Sequence, residues 1–364
     1  MRPPTRMDNA NRFKLGLFCT NCSGALAMTK VPERWDASWD NNVTAARMAA
    51  EAGIEFILPI ARWHGYQGQT NTSGSSYETL TWASGLLAAT EEITVFGTVH
   101  VPFINPVLAA KQIVTADHVG KGRFGLNIVS GWNQGEFDMF GVDLLEHDAR
   151  YDYSEEWLTI VNKIWSDGEP FDFEGNFFKL SGVVSNPKPH GGGRPLVMSA
   201  GSSDAGRAFA ARHADCLFMI VVDLDKLAGD VARVVKMVDD KSRARVFCSG
   251  HIVCRPTQKE AEEYYRYYVH EMGDWDAVEH MMEIRQQSHS VPKDRLPQIK
   301  ERLISGLATF PVIGSPDTVA ETLRQMTEAG LSGMAFGLVN FVDELPFIRE
   351  ALLPRLVRLG LRER

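Results

Sequence analysis

The feature that most constrains the fold is a regular alternation of short apolar segments with longer amphipathic ones. Each short segment is rich in β-branched and aromatic residues and precedes a segment with helical periodicity, which is the pattern of a parallel sheet built from βα units. The short segments, eight in number, are residues 13–19, 56–61, 93–99, 124–130, 196–200, 216–221, 245–254 and 334–339. The helical segments include residues 35–52, 107–119, 150–165, 204–214 and 318–329. Eight strands in this order predict an α/β fold, a closed (β/α)8 TIM barrel with one core, and an open doubly wound sheet is the alternative.

Two connections are much longer than the others and predict insertions after the fourth and seventh strands. Residues 135–194 hold a helix and then a hairpin-like stretch rich in Gly and Pro. Residues 255–317 are far longer than a βα loop requires. Because insertions at the carboxyl ends of barrel strands build the substrate site, we expect a lid at about residues 256–316. The predicted organisation is an amino-terminal extension, residues 1–12, followed by a single barrel domain over residues 13–364.

Charge and cysteine content argue against several classes of function. The 364 residues carry a formal net charge of −8, whereas a partner such as nucleic acid or an anionic membrane requires a basic face. The first residues lack the apolar core of a signal peptide, so we expect a cytoplasmic protein. The five cysteines do not suggest a disulfide framework. Cys19 and Cys22 form a lone CxxC without a second pair or histidines at ligand spacing, so no metal site is expected.

A GxGxxG pattern, typical of dinucleotide-binding loops, occurs at residues 120–125 (GKGRFG). In such a loop the glycines follow a strand and open a helix, so that the pyrophosphate meets the helix amino terminus. Here the predicted helix comes first and the strand follows. The glycines are therefore predicted to form a tight helix-to-strand turn, and the chain offers no nicotinamide fingerprint.

The fourth predicted strand is apolar except for Asn127. A buried amide must find hydrogen-bond partners or costs roughly 1–3 kcal/mol, and either a planar ligand or the neighbouring strand would supply them. Ser130, Gly131, Trp132 and Glu136 follow at the carboxyl end of the strand, which is the catalytic face of a barrel. Their position favours the ligand, although a Trp at such a place is more often part of the core.

The segment at residues 196–207 (LVMSAGSSDAGR) combines a buried strand, a turn of small residues and the start of a helix. Free N–H groups at the first helical turn, the helix dipole and the hydroxyls of Ser202 and Ser203 all favour a phosphate, and Gly201 lets the backbone approach it closely. Helix capping by Ser203 or Asp204 is the alternative use of the same residues.

Arg150 and Tyr151 lie where the chain after the fourth strand enters a helix. An Arg beside a phenol would clamp a phosphate from the opposite side, although a surface salt bridge is the commoner use of such a pair. His147 and Asp148 come just before them. Without a third partner we interpret this pair as surface residues rather than as an acid–base dyad.

From residue 13 to the carboxyl terminus the chain resembles the bacterial-luciferase-like flavin monooxygenases. Residues 122–132 (GRFGLNIVSGW) and 135–137 (GEF) are similar to a signature of the branch with the pyrimidine and dimethyl sulfone monooxygenases. Residues 200–206 (AGSSDAG) are similar to the phosphate loop of the former, and residues 145–151 (LEHDARY) to a segment of the latter. The resemblance implies reduced FMN as cofactor. The implied FMN-binding residues are Ala61, Arg62, Asn127, Glu136, Arg150, Tyr151, Ser202 and Ser203.

The resemblance also implies an oxygen pocket lined by Thr98, Asn127 and Leu58, which match the residues of the pyrimidine enzymes that hold O₂. One departure concerns Ala61 and Arg62, where those enzymes have Ile and Lys. The substrate side of the flavin is therefore expected to differ.

The implied activity is that of a two-component monooxygenase. A separate NAD(P)H:flavin reductase would supply reduced FMN, O₂ would add to it as a flavin N5-peroxide, and a small cyclic amide, N-heterocycle or sulfone would be oxygenated or cleaved. A homodimer or homotetramer is expected. A deazaflavin-dependent oxidoreductase and a non-catalytic flavin-binding protein are the alternatives. No acid or base is assigned: His64, His100 and His147 are candidates, and a structural role suits each of them better.

Overall fold

The predicted parallel strands close into a barrel in the computed structural model, which describes residues 2–166, 168–201, 203–238, 241, 244–288 and 296–363. The strands are β1 (Lys14–Phe18), β2 (Phe56–Leu58), β3 (Thr94–His100), β4 (Phe124–Val129), β5 (Phe171–Glu174), β6 (Lys179–Val183), β7 (Leu196–Ala200), β8 (Cys216–Met219), β9 (Arg245–Cys254), β10 (Phe310–Gly314) and β11 (Gly333–Gly337). The barrel order is β1, β2, β3, β4, β7, β8, β9 and β11, and β1 pairs with both β2 and β11. The predicted (β/α)8 barrel is confirmed, and the open sheet is wrong because its edges are joined.

Helices surround the barrel and follow the predicted segments. They are α1 (Trp39–Glu51), α2 (Thr79–Ala89), α3 (Pro106–Val119), α4 (Gln134–Phe140), α5 (His147–Ser166), α6 (Asp204–His213), α7 (Leu224–Lys236), α8 (Gln258–Arg266), α9 (Trp275–Ser288), α10 (Leu296–Gly306), α11 (Pro316–Glu328), α12 (Phe341–Phe347) and α13 (Leu353–Arg358). Among the described residues, no helix is long and apolar enough to cross a membrane. The side chain of Asn105 caps the amino terminus of α3, and that of Ser315 caps α11. Each of these helices has proline at its first position.

The glycines of the GxGxxG pattern form the turn that was predicted for them. Helix α3 ends at Val119, Gly122 has φ +88°, and β4 begins two residues later. The Gly122 N–H donates to the Asp117 carbonyl at 2.9 Å, which closes the end of the helix. No helix follows these glycines, so they do not form a nucleotide loop.

Aromatic side chains fill the interior of the barrel. Phe56, Phe96 and Phe247 are fully buried there, with edge-to-face ring contacts of 5.7–5.9 Å between centroids. Glycines face two of these rings: a Cβ on Gly16 would lie 2.3 Å from the Phe56 ring, and one on Gly125 would lie 2.4 Å from the Phe96 ring. The interior is therefore a packed core, and any site must lie at one of its ends.

The amino-terminal extension closes one end of the barrel. Met7 is fully buried in the interior cluster, and Arg245 donates to its carbonyl at 2.9 Å. Beside it the fully buried Glu55 accepts from the Leu15 N–H at 2.9 Å and from Arg362 near the carboxyl terminus at 2.8 Å. Both ends of the chain are thus fixed at the amino-terminal end of the strands, which leaves the carboxyl end for a ligand.

Both long connections contain elements of their own. Strands β5 and β6 form an antiparallel hairpin after α5. After β9 come α8, α9, α10 and β10, and β10 pairs with the second half of β9, beyond the barrel. The sequence prediction missed β10, because Pro311 interrupts a short apolar run of five residues and a strand with proline suits the edge of a sheet.

Candidate active site

Buried polar atoms without partners concentrate at the carboxyl end of the barrel strands. Within the part of the chain that the structure describes, ten side chains carry such an atom, and six of them lie at the carboxyl ends of β1 to β4 or follow these strands. The six are Thr20, Arg62, His100, Asn127, Asn133 and Arg150, and the others are Ser73, Thr94, Gln112 and His251. Each atom costs free energy unless a ligand or water satisfies it, so the six together indicate a candidate site for a polar ligand.

Thr98 and Asn127 form the floor of this site. They are partners in the register of β3 and β4, and only 6% of Thr98 and 8% of Asn127 is exposed. The Thr98 hydroxyl donates to the Pro59 carbonyl at 2.6 Å and accepts from Nδ2 of Asn127 at 3.1 Å. Oδ1 of Asn127 has no partner among the described residues. The neighbouring strand thus satisfies the nitrogen of Asn127, and the contact of its oxygen with a ligand stays a prediction.

Leu58 lies directly before Pro59 and is buried in the interior cluster with Phe56 and Phe96. It supplies an apolar surface beneath the polar pair. The structure thus brings the three predicted oxygen-pocket residues, Leu58, Thr98 and Asn127, to one place.

Arg62 and Glu136 form a buried ion pair beside the floor. Nη1 of Arg62 lies 3.2 Å from Oε1 of Glu136, which also accepts from the Trp63 N–H at 3.0 Å. The two side chains are close enough for an ion pair, but they do not form a hydrogen bond. Nε and Nη1 of Arg62 have no hydrogen-bond acceptor in the described segments. Burial opposes the guanidinium charge, yet Tyr66 and Glu136 together raise the pKa of Arg62 above its ordinary value. A permanent cation with free donors therefore faces the site.

Trp132 is half-buried, and the Arg62 guanidinium lies 5.5 Å from the centroid of its ring. It also packs against the apolar cluster of the second insertion. Ala61, the other residue predicted to touch the flavin after β2, is buried beside Arg62. Trp132 is thus partly core, as its residue type suggested, and partly a wall of the site.

A glycine cradle lies at the start of α6. A Cβ on Gly201 would lie 2.2 Å from the Gly206 carbonyl carbon, and one on Gly206 would lie 2.5 Å from the Tyr151 hydroxyl. Only glycine fits at either position, and the Tyr151 hydroxyl closes over the first turn of the helix. The predicted phosphate site would lie at the helix N–H groups beside this close contact.

Ser203 caps α6, and its hydroxyl accepts from the Gly206 N–H at 3.1 Å. Ser203 therefore acts as a helix cap, and a phosphate would have to contact the same hydroxyl oxygen. Ser202 lies outside the described residues. Arg150 donates from Nη1 to the Gly131 carbonyl at 2.7 Å, while its buried Nε has no acceptor among the described residues.

The three candidate histidines differ in burial and in their contacts. His147 and Asp148 form an exposed pair at 2.7 Å, as predicted for surface residues. His64 is half-buried and contacts the Gly65 carbonyl at 3.2 Å. His100 is buried at the end of β3, and burial together with the nearby Arg62 lowers its pKa to about 3. Sequence reasoning named His100 without placing it in the site, although strand alternation from Thr98 puts both on one face.

The five cysteines are free and buried. Burial and the hydrogen-bonded Cys22 raise the pKa of Cys19 well above its ordinary value, against the opposing charge of Arg62. The described residues include no group of three or more His, Cys, Asp and Glu side chains placed to bind a metal ion.

A barrel with a packed interior and with unpartnered polar atoms among the described residues at the carboxyl end of its strands is typical of barrel enzymes, whose sites lie at that end. The family model described as luciferase-like monooxygenase matches residues 13–333, so the chain belongs to that family. The predicted enzyme class, an FMN-dependent monooxygenase that uses O₂, is confirmed at this level.

Named relatives agree with this assignment. The chain is 29% identical over 348 residues to an FMNH₂-dependent dimethylsulfone monooxygenase of Pseudomonas fluorescens, covering 94% of this chain and 93% of the relative. It is 26% identical to a pyrimidine monooxygenase of Acinetobacter baylyi, with 94% of each chain covered. Among solved structures, a riboflavin lyase has the same fold, with a TM-score of 0.85 and 21% identity over 96% of this chain and 92% of that one. The branch predicted from the sequence motifs is confirmed.

Proposed function

We propose that the protein is the oxygenating component of a two-component system and uses reduced FMN to oxygenate or cleave a small organic molecule. The observation that carries the proposal is the set of unpartnered buried atoms on Arg62, Asn127 and Arg150 around one end of the barrel. These are donors and an acceptor of the kind that a flavin ring and a phosphate require.

The residues fit FMN at both of its ends. Gly201, Gly206, Ser203, Tyr151 and Arg150 would hold the phosphate, with Ser202 as their predicted neighbour. Thr98 and Asn127 would lie beneath the ring, and Ala61, Arg62 and Glu136 at its side. Reduced FMN, when bound, supplies the electrons that activate O₂.

The protein's own contribution is binding, orientation and exclusion of water. The Thr98 hydroxyl is fixed by Pro59, so it holds the Asn127 amide in one orientation toward the floor. Leu58 keeps that floor apolar on its other side. Which flavin atom carries the oxygen stays a prediction, with N5 as the expected position.

The second insertion, at about residues 256–316, would be a lid over this site. It is attached to the loops that follow β1 and β2: Thr29 donates to the Tyr268 carbonyl at 2.8 Å, and Asp274 accepts from the Thr70 N–H at 2.6 Å. A Cβ on Gly68 would lie 2.7 Å from Oδ1 of Asp274, so the contact is close. An insertion held in this way would keep water away from the flavin.

Arg62 also bears on the substrate class. Nε and Nη1 have no acceptor among the described residues, and whichever of these donors the flavin leaves free would suit a small neutral molecule with oxygen acceptors, such as a sulfone or a cyclic amide. The relatives are named for dimethylsulfone, which carries such oxygens, and for a pyrimidine.

The partners are a separate NAD(P)H:flavin reductase, as in a two-component system, and further copies of this chain. Apolar side chains stand exposed on the outer helices, including Trp39 and Leu108. They support the expected homodimer or homotetramer, which light scattering on the purified protein would measure.

The test combines purified protein, a generic flavin reductase, NADH and FMN under ¹⁸O₂, with dimethyl sulfone, uracil and N-heterocycles screened by mass spectrometry. We expect one ¹⁸O atom per product molecule. The matched control is Asn127→Ala, which should consume NADH but form little labelled product. Label in no product would overturn the proposal, and hydride transfer from a reduced deazaflavin without O₂ use would establish the alternative oxidoreductase.

A further inference from the structure

One buried histidine at the site is not among the residues that the family resemblance assigns. His100 follows Thr98 by two residues in β3, so strand alternation places both side chains on the inner face of the barrel. In the register of the sheet His100 is opposite Val129, and its ring lies near Gly131. His100 therefore stands one layer above the Thr98 and Asn127 floor, toward the open end.

Packing around His100 fixes the position of its ring, but it leaves one ring nitrogen without a hydrogen bond to any described residue. Only 6% of the residue is exposed, and the Phe103 ring lies 5.3 Å from the imidazole at an angle of 49°. Nδ1 of His100 has no hydrogen-bond partner in the described part of the chain. A buried nitrogen left in this state costs free energy unless a ligand atom or a water molecule satisfies it.

Burial and a nearby charge determine the protonation state of the His100 imidazole. Arg62, after β2, is the charged group that acts on His100, and its own partner is Glu136 in α4. Burial and the Arg62 charge lower the pKa of His100 to about 3, so the imidazole is neutral at every pH at which the enzyme would work. A neutral imidazole offers one donor and one acceptor, and it does not compete with Arg62 for an anion.

The polar groups near His100 offer both donors and an acceptor to a ligand. Arg62, whose charge acts on His100, has donors without an acceptor among the described residues, and Asn127, one register pair below His100 on the same face, has an acceptor without a donor. The pyrimidine edge of a flavin ring, with an N–H between two carbonyls, would match these groups.

We propose that His100 binds the pyrimidine edge of the flavin ring through a hydrogen bond at Nδ1, as a neutral cofactor-binding residue. The inference rests on the proposed FMN site. Substrate is the other ligand that a free nitrogen here would contact, and measuring FMN affinity without substrate separates the two.

The experiment compares FMN binding, oxidised in air and reduced under anaerobic conditions, in the wild type, His100→Phe and His100→Asn. Phe keeps a ring of similar size without the nitrogen, so Kd should rise about tenfold, the equivalent of one lost hydrogen bond to a buried group. Asn retains a polar atom near the position of Nδ1 and should recover most of the affinity. Imidazole ¹⁵N resonances of the wild type should show a neutral ring from pH 5.5 to 9, with the Nδ1 resonance shifted on addition of FMN.

The matched control is His251→Leu. His251 is also buried, and burial together with Arg302 lowers its pKa to about 3. Its Nδ1 contacts Thr309 at 2.9 Å, and its Nε2 is the nitrogen that has no partner among the described residues. Its loss should lower stability and leave the FMN affinity unchanged.

Two outcomes would count against the inference and differ in meaning. If the wild type bound FMN, and His100→Phe bound it within twofold while the Nδ1 resonance stayed in place, His100 would have no role at the flavin. If the wild type itself bound neither form of FMN, the proposed function would fall and this inference with it. A folded state in each variant is checked by circular dichroism, and the wild-type resonance test needs no variant.

Discussion

Nδ2 of Asn127 lies 3.1 Å from the Thr98 hydroxyl oxygen, which in turn donates to the Pro59 carbonyl at 2.6 Å. Oδ1 of Asn127 is left without a partner among the described residues. The ends of three strands are thereby coupled into one floor, and Oδ1 is the acceptor that the proposed ligand would use.

Removing the Thr98 hydroxyl should uncouple oxygen use from product formation. Thr98→Val keeps the shape of the side chain but leaves the Asn127 amide without its partner, at a cost of roughly 1–3 kcal/mol. We expect the ratio of product formed to O₂ consumed to fall about tenfold, with the balance released as hydrogen peroxide. Thr98→Ser is the control and should stay near the wild-type ratio, whereas equal ratios in Val and Ser variants would contradict the role given to the hydroxyl.

A methyl group at Gly206 should weaken FMN binding. Its Cβ would lie 2.5 Å from the Tyr151 hydroxyl, so Gly206→Ala displaces the phenol that closes the cradle. We expect the FMN Kd to rise at least tenfold in fluorescence titration. In the double variant with Tyr151→Phe the hydroxyl is gone, and affinity should partly recover relative to Gly206→Ala alone. The absence of any effect in Gly206→Ala would place the phosphate elsewhere.

The ion pair between Glu55 and Arg362 should stabilise the fold without affecting the site. Both side chains are buried at the closed end of the barrel, so Arg362→Ala leaves a buried carboxylate uncompensated and should cost about 3–5 kcal/mol of unfolding free energy. Urea denaturation measures the loss. Lys179→Ala, which breaks an exposed pair with Glu174, should have no measurable effect. FMN affinity should be unchanged in both folded variants, and a selective loss of affinity in Arg362→Ala would show coupling between the two ends.

The thiols of the native protein should be unreactive at pH 8. Burial raises the pKa of Cys19 well above its ordinary value and raises the pKa of Cys216 and of Cys254 to about 12. The thiolate is the reactive form and is scarcely populated below such a pKa, and Cys22 and Cys248 are fully buried. A thiol reagent should therefore label no cysteine rapidly in buffer and all five in denaturant. Rapid labelling of Cys19 or Cys22 in the folded protein would show that this CxxC has a redox role.

Local patterns predicted the fold well and the detail of the site less well. The eight barrel strands were visible because parallel strands buried on both faces are continuous apolar runs, whereas β10 was missed because Pro311 and its edge position give it no such signal. The glycine turn before β4 followed from the order of helix and strand alone. The resemblance named Glu136 and Arg62, but the sequence contained no sign that they contact each other across 74 positions of the chain.

The sequence by itself determined the barrel, the family and the segments that lie at its carboxyl end, since periodicity and motifs are properties of neighbouring residues. Tertiary structure alone decided which polar atoms are satisfied. The Thr98 hydroxyl is bonded to Pro59, the Ser203 hydroxyl to Gly206, and Nδ1 of His100 to no described residue. These states depend on distances between strands far apart in the chain, because a hydrogen bond forms only when packing brings donor and acceptor within about 3 Å. That packing identified His100 as a flavin-site candidate, which its place in the sequence had not.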